Sequence, residues 1–152
     1  DQSSLQSQSD IQDFINQIQK LIPFAEKFDV HLALETDLEP NAFKNLLEQF
    51  NSPSITVNYD SGNSASLGYN PVEELDAYGD KITDIHIKDR VINGGPVTLG
   101  EGNADFAKFF SKLLEFGYKG PFIMQAYRDD EGVEIFKKQL SWIKPYLGAF
   151  YD

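Results

Sequence analysis

The chain has no cysteine, so disulfides, thiolate-bound zinc and thiol nucleophiles are excluded from the start. Histidine is nearly as scarce, with only His31 and His86. Basic residues are few: 13 Lys and Arg against 24 Asp and Glu leave a net charge of −11, a field that repels phosphodiester backbones and argues against a nucleic-acid partner. No apolar run approaches the roughly 20 residues that a membrane helix needs. The opening Asp1-Gln2-Ser3-Ser4 lacks the basic-then-apolar character of a secretory signal. The expectation is a soluble chain with no membrane partner, cytoplasmic by default.

What is present suffices for one real core, since 41% of the residues are hydrophobic and 13% aromatic. Asp1 to Gln8 is a polar Ser/Gln segment expected to be disordered, and residues 9–152 are expected to form one unit. Ser9 reads as an N-cap. The apolar stripe Ile11, Phe14, Ile15, Ile18, Leu21 and Ile22 then makes an amphipathic helix that Pro23 should kink or restart before it ends at Phe28. Residues 30–35, 54–60 and 121–126 read as strands. A further strand carries Ile82, Ile85 and Ile87 into the charged run Lys88-Asp89-Arg90. Helices are expected over residues 41–50 and 71–78, from Asn103 to Gly117, and from Asp129 or Asp130 through Ile143, with Pro145 ahead of an aromatic tail. Residues 61–70 are long and Gly-rich for a plain connector and read as a binding loop.

Strict helix–strand alternation argues for a parallel sheet with right-handed crossovers. Four strands are too few to close a barrel. A doubly wound nucleotide-binding sheet is weakly supported, because no Gly-x-Gly-x-x-Gly turn follows any strand. Half of an eight-stranded barrel is the other solution, and it leaves two sheet edges to be covered by a second copy or by a missing N-terminal half.

The polar residues at the strand ends then matter. Glu35, Asp60, His86 and Gln125 each close one β/α unit, so on a barrel their side chains would converge at its top. Two carboxylates, an imidazole and an amide oxygen suit a divalent ion such as Mn, Mg, Co or Zn. A single acidic residue at a strand end ordinarily caps a helix, and a lone histidine is ordinarily structural. Four in successive units favour a shared site. Lys88, Arg90 and Arg128 lie just beyond strand ends, where they could hold a phosphate or pair with Asp89, Asp129 and Asp130 on a solvated rim. Glu101 could face the site or cap the helix near Asn103. His31 opens its strand and belongs at the opposite, structural face. The stripe of Phe106, Phe109 and Phe110 reads as packing.

Five motifs, Leu32-Ala33-Leu34-Glu35, Asn58-Tyr59-Asp60-Ser61-Gly62-Asn63, Ile85-His86-Ile87-Lys88-Asp89-Arg90, Leu99-Gly100-Glu101-Gly102 and Gly117-Tyr118-Lys119-Gly120-Pro121-Phe122, resemble the C-terminal half of the xylose-isomerase-like barrels. That superfamily holds sugar and sugar-phosphate isomerases and epimerases, together with endonuclease IV. The resemblance implies an α/β fold, a parallel (βα)4 half of a TIM barrel with a leading helix. It implies a sugar or sugar phosphate as small-molecule partner. It also places Glu35, Asp60 and His86 on three metal-ligand positions. The fourth position is normally Glu and here is Gln125.

In the family's epimerases two glutamates, at the positions of Glu35 and Gln125, act as acid and base. Glutamine can ligate but cannot take a proton. The expectation is therefore aldose–ketose isomerisation through an enediolate, with Glu35 as base, in preference to epimerisation. The competing reading is an inactive sugar-binding or interaction module. A nuclease of the endonuclease IV kind is disfavoured by the two histidines and the acidic charge.

Overall fold

The computed structural model describes Leu5, residues 7–127 and residues 132–151. In chain order its elements are α1 (Gln8–Phe28), β1 (Leu32–Leu34), α2 (Pro40–Leu47), β2 (Ile55–Asp60), α3 (Ser61–Leu67), α4 (Pro71–Tyr78) and β3 (Ile82–Ile87). There follow β4 (Asp89–Arg90), β5 (Pro96–Val97), α5 (Phe106–Phe116), β6 (Phe122–Met124) and α6 (Val133–Leu147). No described helix is long and apolar enough to cross a membrane.

Ser7, not Ser9, caps α1. The Ser7 hydroxyl accepts the Asp10 N–H at 3.1 Å and the Asp10 carboxylate accepts the Ser7 N–H at 2.9 Å, which satisfies two otherwise orphaned donors. Of the segment expected to be disordered, Gln8 is already helical, and residues 1–4 and 6 lie outside the described residues. Pro23 does not restart the helix, which runs through it while Ile11, Phe14, Ile15, Ile18 and Ile22 pack on the core.

The expected loop at 61–70 is a second correction, because residues 61–67 are helical. Asp60 supplies the start: its Oδ1 accepts the N–H groups of Gly62 and Asn63 at 2.9 and 2.8 Å. Gly68, at φ 77°, ends the helix. Small side chains let α3 lie close to the sheet, and a Cβ on Gly62 would come within 2.7 Å of the Lys88 side chain. Two helix ends also differ from expectation. Asp105 rather than Asn103 or Glu101 caps α5, accepting the Lys108 N–H at 3.1 Å. Pro145 lies inside α6 instead of after it. Asp129 and Asp130 lie outside the described residues.

Four strands form one parallel sheet in the order β1-β2-β3-β6. Buried strand residues Leu34, Val57, Tyr59, Ile85 and Ile87 point toward the helices, where Tyr59 stacks on Phe109 of α5 at 4.9 Å. The Phe106, Phe109 and Phe110 stripe is buried packing. Burying a side chain of that size contributes about 1.5–3 kcal/mol. The opposite face is more open: Ala33, Ile123 and Gln125 are exposed, and Asn58, Asp84 and His86 are half-buried.

The β2–β3 pairing contains a register shift. Val57 pairs with Ile82 and Asn58 with Asp84, so Thr83 is an extra residue. Because side chains alternate along a strand, that one residue turns Asp84 and His86 onto the face of Asn58 and Asp60. Asp60 and His86 then stand directly opposite each other.

Candidate metal centre

Glu35 follows β1, Asp60 ends β2 and His86 lies near the end of β3. One ligand atom from each lies within 4.8 Å of the others. Asp60 is buried at 5% exposure, and its two oxygens are treated differently by the fold. Oδ1 is spent on the first turn of α3. Oδ2 is buried with no hydrogen-bond donor, 4.0 Å from His86 Nδ1 and in a 3.5 Å ion-pair contact with the Lys88 ammonium. A buried carboxylate oxygen without a donor is costly unless a cation supplies the missing interaction. Two carboxylates and an imidazole are a donor set that fits a divalent ion.

Two asparagines that the sequence reading passed over as site residues hold this set in place. Asn58 Nδ2 donates to Glu35 Oε2 at 2.8 Å and lies 3.2 Å from His86 Nδ1. Facing a carboxylate, the amide must present its NH₂, so His86 Nδ1 is the acceptor and carries a lone pair toward the cluster. Asn63 Nδ2 donates to the other Glu35 oxygen, Oε1. Asn58 was findable from strand period, since it is two residues before Asp60. Asn63 became visible only once α3 was seen to be a helix.

The other expected site residues are distributed unevenly. Lys88 reaches the cluster, with its ammonium 3.1 Å from Gln125 Oε1 and 3.4 Å from Asn63 Oδ1. Gln125 is exposed and joins the group through Lys88. Arg90 donates from Nε and Nη2 to the Gly94 carbonyl at 2.9 and 2.7 Å, and from Nη1 to Asn63 Oδ1 at 2.8 Å. The rim pairing of these cations with Asp89 is not what the fold does. Asp89 is fully buried and accepts the N–H groups of Arg90, Gly100, Gly102 and Ala104, which ties down the loop after β5. Glu101, on that loop, is exposed and is not a member of the cluster. Arg128 lies outside the described residues. His31 is exposed at the start of its strand.

Behind the cluster a narrow cleft runs from Glu35 and Asp60 to a second buried carboxylate, Glu74 of α4. Glu74 Oε1 accepts the Tyr78 hydroxyl at 2.9 Å, and Oε2 accepts the hydroxyls of Tyr59 at 2.9 Å and of Ser64. Burial raises the Glu74 carboxyl above its ordinary range, although all three hydroxyl bonds pull it down. Burial likewise lifts the Tyr59 and Tyr78 hydroxyls well above theirs, so both stay protonated donors. The network fastens α3 to β2 and α4.

The family model described as xylose isomerase-like TIM barrel matches residues 2–146. The chain belongs to the xylose isomerase-like TIM barrel family. Within that family it is 31% identical over 102 residues to an inosose dehydratase of Geobacillus kaustophilus, covering 55% of this chain and 33% of the relative. It is 28% identical over 142 residues to the L-ribulose-5-phosphate 3-epimerase UlaE of Escherichia coli O1:K1, covering 86% of this chain and 49% of that enzyme. The chain thus spans about a third to a half of the length of these curated relatives. Among solved structures, a xylose isomerase domain protein from Planctomyces limnophilus superposes with a TM-score of 0.83 at 23% identity, covering 96% of this chain and 57% of that one. The zinc-bound IolI protein superposes with a TM-score of 0.77 at 20% identity, covering 98% and 62%. The four parallel strands are those of such a barrel, and its relatives are sugar epimerases and dehydratases.

Proposed function

We propose that this chain carries the metal corner of a sugar or sugar-phosphate isomerase, with Glu35, Asp60 and His86 as ligands. The observation that supports it is the buried Asp60 Oδ2, which makes no hydrogen bond and, among the described residues, has only the Lys88 ammonium at 3.5 Å to offset it, beside His86 Nδ1 and Glu35. The zinc carried by IolI and the sugar chemistry of the relatives point the same way. When bound, a divalent ion would polarise the substrate carbonyl and hold two adjacent substrate oxygens.

The chain's own residues supply the rest. Glu35 takes the proton from the hydroxyl-bearing carbon beside the carbonyl, giving an enediolate, and returns it on the same face to the former carbonyl carbon, while the proton of that hydroxyl passes to the former carbonyl oxygen. Asn58 and Asn63 aim its two oxygens. Gln125 can orient a substrate hydroxyl but accepts no proton, so the second base of an epimerase is missing and isomerisation is favoured. Lys88 sets positive charge where the oxyanion develops, whereas Arg90 is engaged by Asn63 and Gly94. Four further β/α units would close the barrel and supply the opposite pocket wall.

The test is elemental analysis of the purified chain. About one Mn, Co or Zn per chain, lost in Glu35→Ala and in His86→Ala, is expected, and a chain that takes up none of them overturns the reading. A second reading, a sugar-binding module without turnover, is favoured by Gln125. A metal-loaded chain that binds a ketose yet exchanges none of its carbon-bound hydrogen with deuterated solvent would select it.

A further inference from the structure

Asn63 touches more of the site than any ligand does. Its backbone N–H goes to Asp60, its Nδ2 to Glu35, and its Oδ1 accepts both Arg90 Nη1 and Lys88 Nζ. Only one orientation of the amide is possible, because the flipped form would set oxygen against carboxylate and NH₂ against two cations. Its backbone is held from both sides. Ser61 Oγ donates to the Lys88 carbonyl at 2.7 Å and accepts the Lys88 N–H at 3.0 Å. Ser64 is bonded to the buried Glu74. The amide therefore stands at a fixed point between the Glu35 carboxylate and a guanidinium whose Nε and Nη2 are anchored on Gly94.

We propose that Asn63 is a positioning residue that acts as an insulator: it satisfies Arg90 and Lys88 with its oxygen and Glu35 with its nitrogen, and so keeps the carboxylate from collapsing onto Arg90. The proposal rests on the metal reading above, since an ion-paired Glu35 is a poorer ligand. With the amide removed, Arg90 Nη1 loses its acceptor and Glu35 Oε1 loses its donor, leaving two opposite charges on either side of the space that Asn63 fills. Their pairing would withdraw one of the three donors from the ion.

Cobalt(II) binding to the full chain tests this, followed by titration calorimetry and by the visible absorption of the bound ion. Asn63→Ala should weaken cobalt binding about 10- to 100-fold, the range typical of residues that orient metal ligands. Adding Arg90→Met should recover most of the affinity and the wild-type spectrum, because the competing cation is gone. A residue that merely supported α3 would leave the double variant as weak as the single one, and that result overturns the insulator role. Asn63→Ser repeats the comparison with a hydroxyl in place, should the alanine variant unfold. A wild-type chain that binds no cobalt overturns the metal reading and this proposal with it. Equal binding by wild type and Asn63→Ala overturns this proposal alone.

Discussion

Asp89 shows how far one residue can hold a loop in this chain. Its carboxylate is fully buried and takes four backbone N–H groups, from Arg90, Gly100, Gly102 and Ala104. Asp89→Asn keeps the shape but turns an NH₂ toward donors and removes the charge, so it is expected to cost about 2–4 kcal/mol in urea unfolding. An unchanged midpoint would show that the loop finds other acceptors. Glu74 lends itself to a different measurement. A folded value raised above the unfolded one means that Glu74 favours the fold when protonated: its contribution is full below the unfolded value and fades as the pH climbs through the folded one. Acidifying from neutral toward the ordinary glutamate range, about pH 4, should therefore raise the wild-type Tm relative to Glu74→Gln. Parallel curves for the two proteins across that range would refute it. The convergence of Glu35, Asp60 and His86 was legible in the sequence, since each closes one β/α unit. Asn58 and Asn63 were not read as site residues, because neither closes a strand as Gln125 does and their bonds to Glu35 appear only in the fold.

Among the elements, α3 and the β2–β3 register were the hardest to read. Ser61 to Ser66 has no apolar period, only small side chains, so composition argues for a loop. Its helix comes from a cap, Asp60, whose Oδ1 is spent on the first turn while Oδ2 stays with the proposed ion site. The register shift did leave a trace. Ile82 and Ile85 are three apart, and an unbroken strand cannot bury both on one face, yet both are buried, at 7% and 0% exposure. Deleting Thr83 should restore straight pairing and leave His86 opposite Asp60, because Ile82 and Asp84 keep their partners Val57 and Asn58. The chain should then keep its divalent-ion uptake and its far-ultraviolet circular dichroism. Loss of the ion with the fold intact would mean that the bulge itself, and not only the pairing beyond it, shapes the proposed site.

At the scale of the whole molecule, the alternation of helices and strands was enough to give a parallel sheet, and the structure supplies its order, β1-β2-β3-β6. What alternation could not convey is how much apolar surface the sheet leaves uncovered. Leu21, Phe24 and Phe28 form an exposed stripe on α1, at 48%, 63% and 65% exposure, and β1 and β6 each pair on one side only among the described residues. The chain by itself should bind a hydrophobic dye, and Phe24→Ser with Phe28→Ser should cut that signal by more than half. An equal signal from the variant would place the sticky surface elsewhere, on the open inner face around Ile123. The three proposed ligands have a further property. They fall between residues 35 and 86, at the ends of consecutive strands, and the two asparagines that bond Glu35 come from the same stretch. A donor set so contiguous can be inherited as a unit. Recombination could join it to different opposite halves while leaving the proposed ion site untouched.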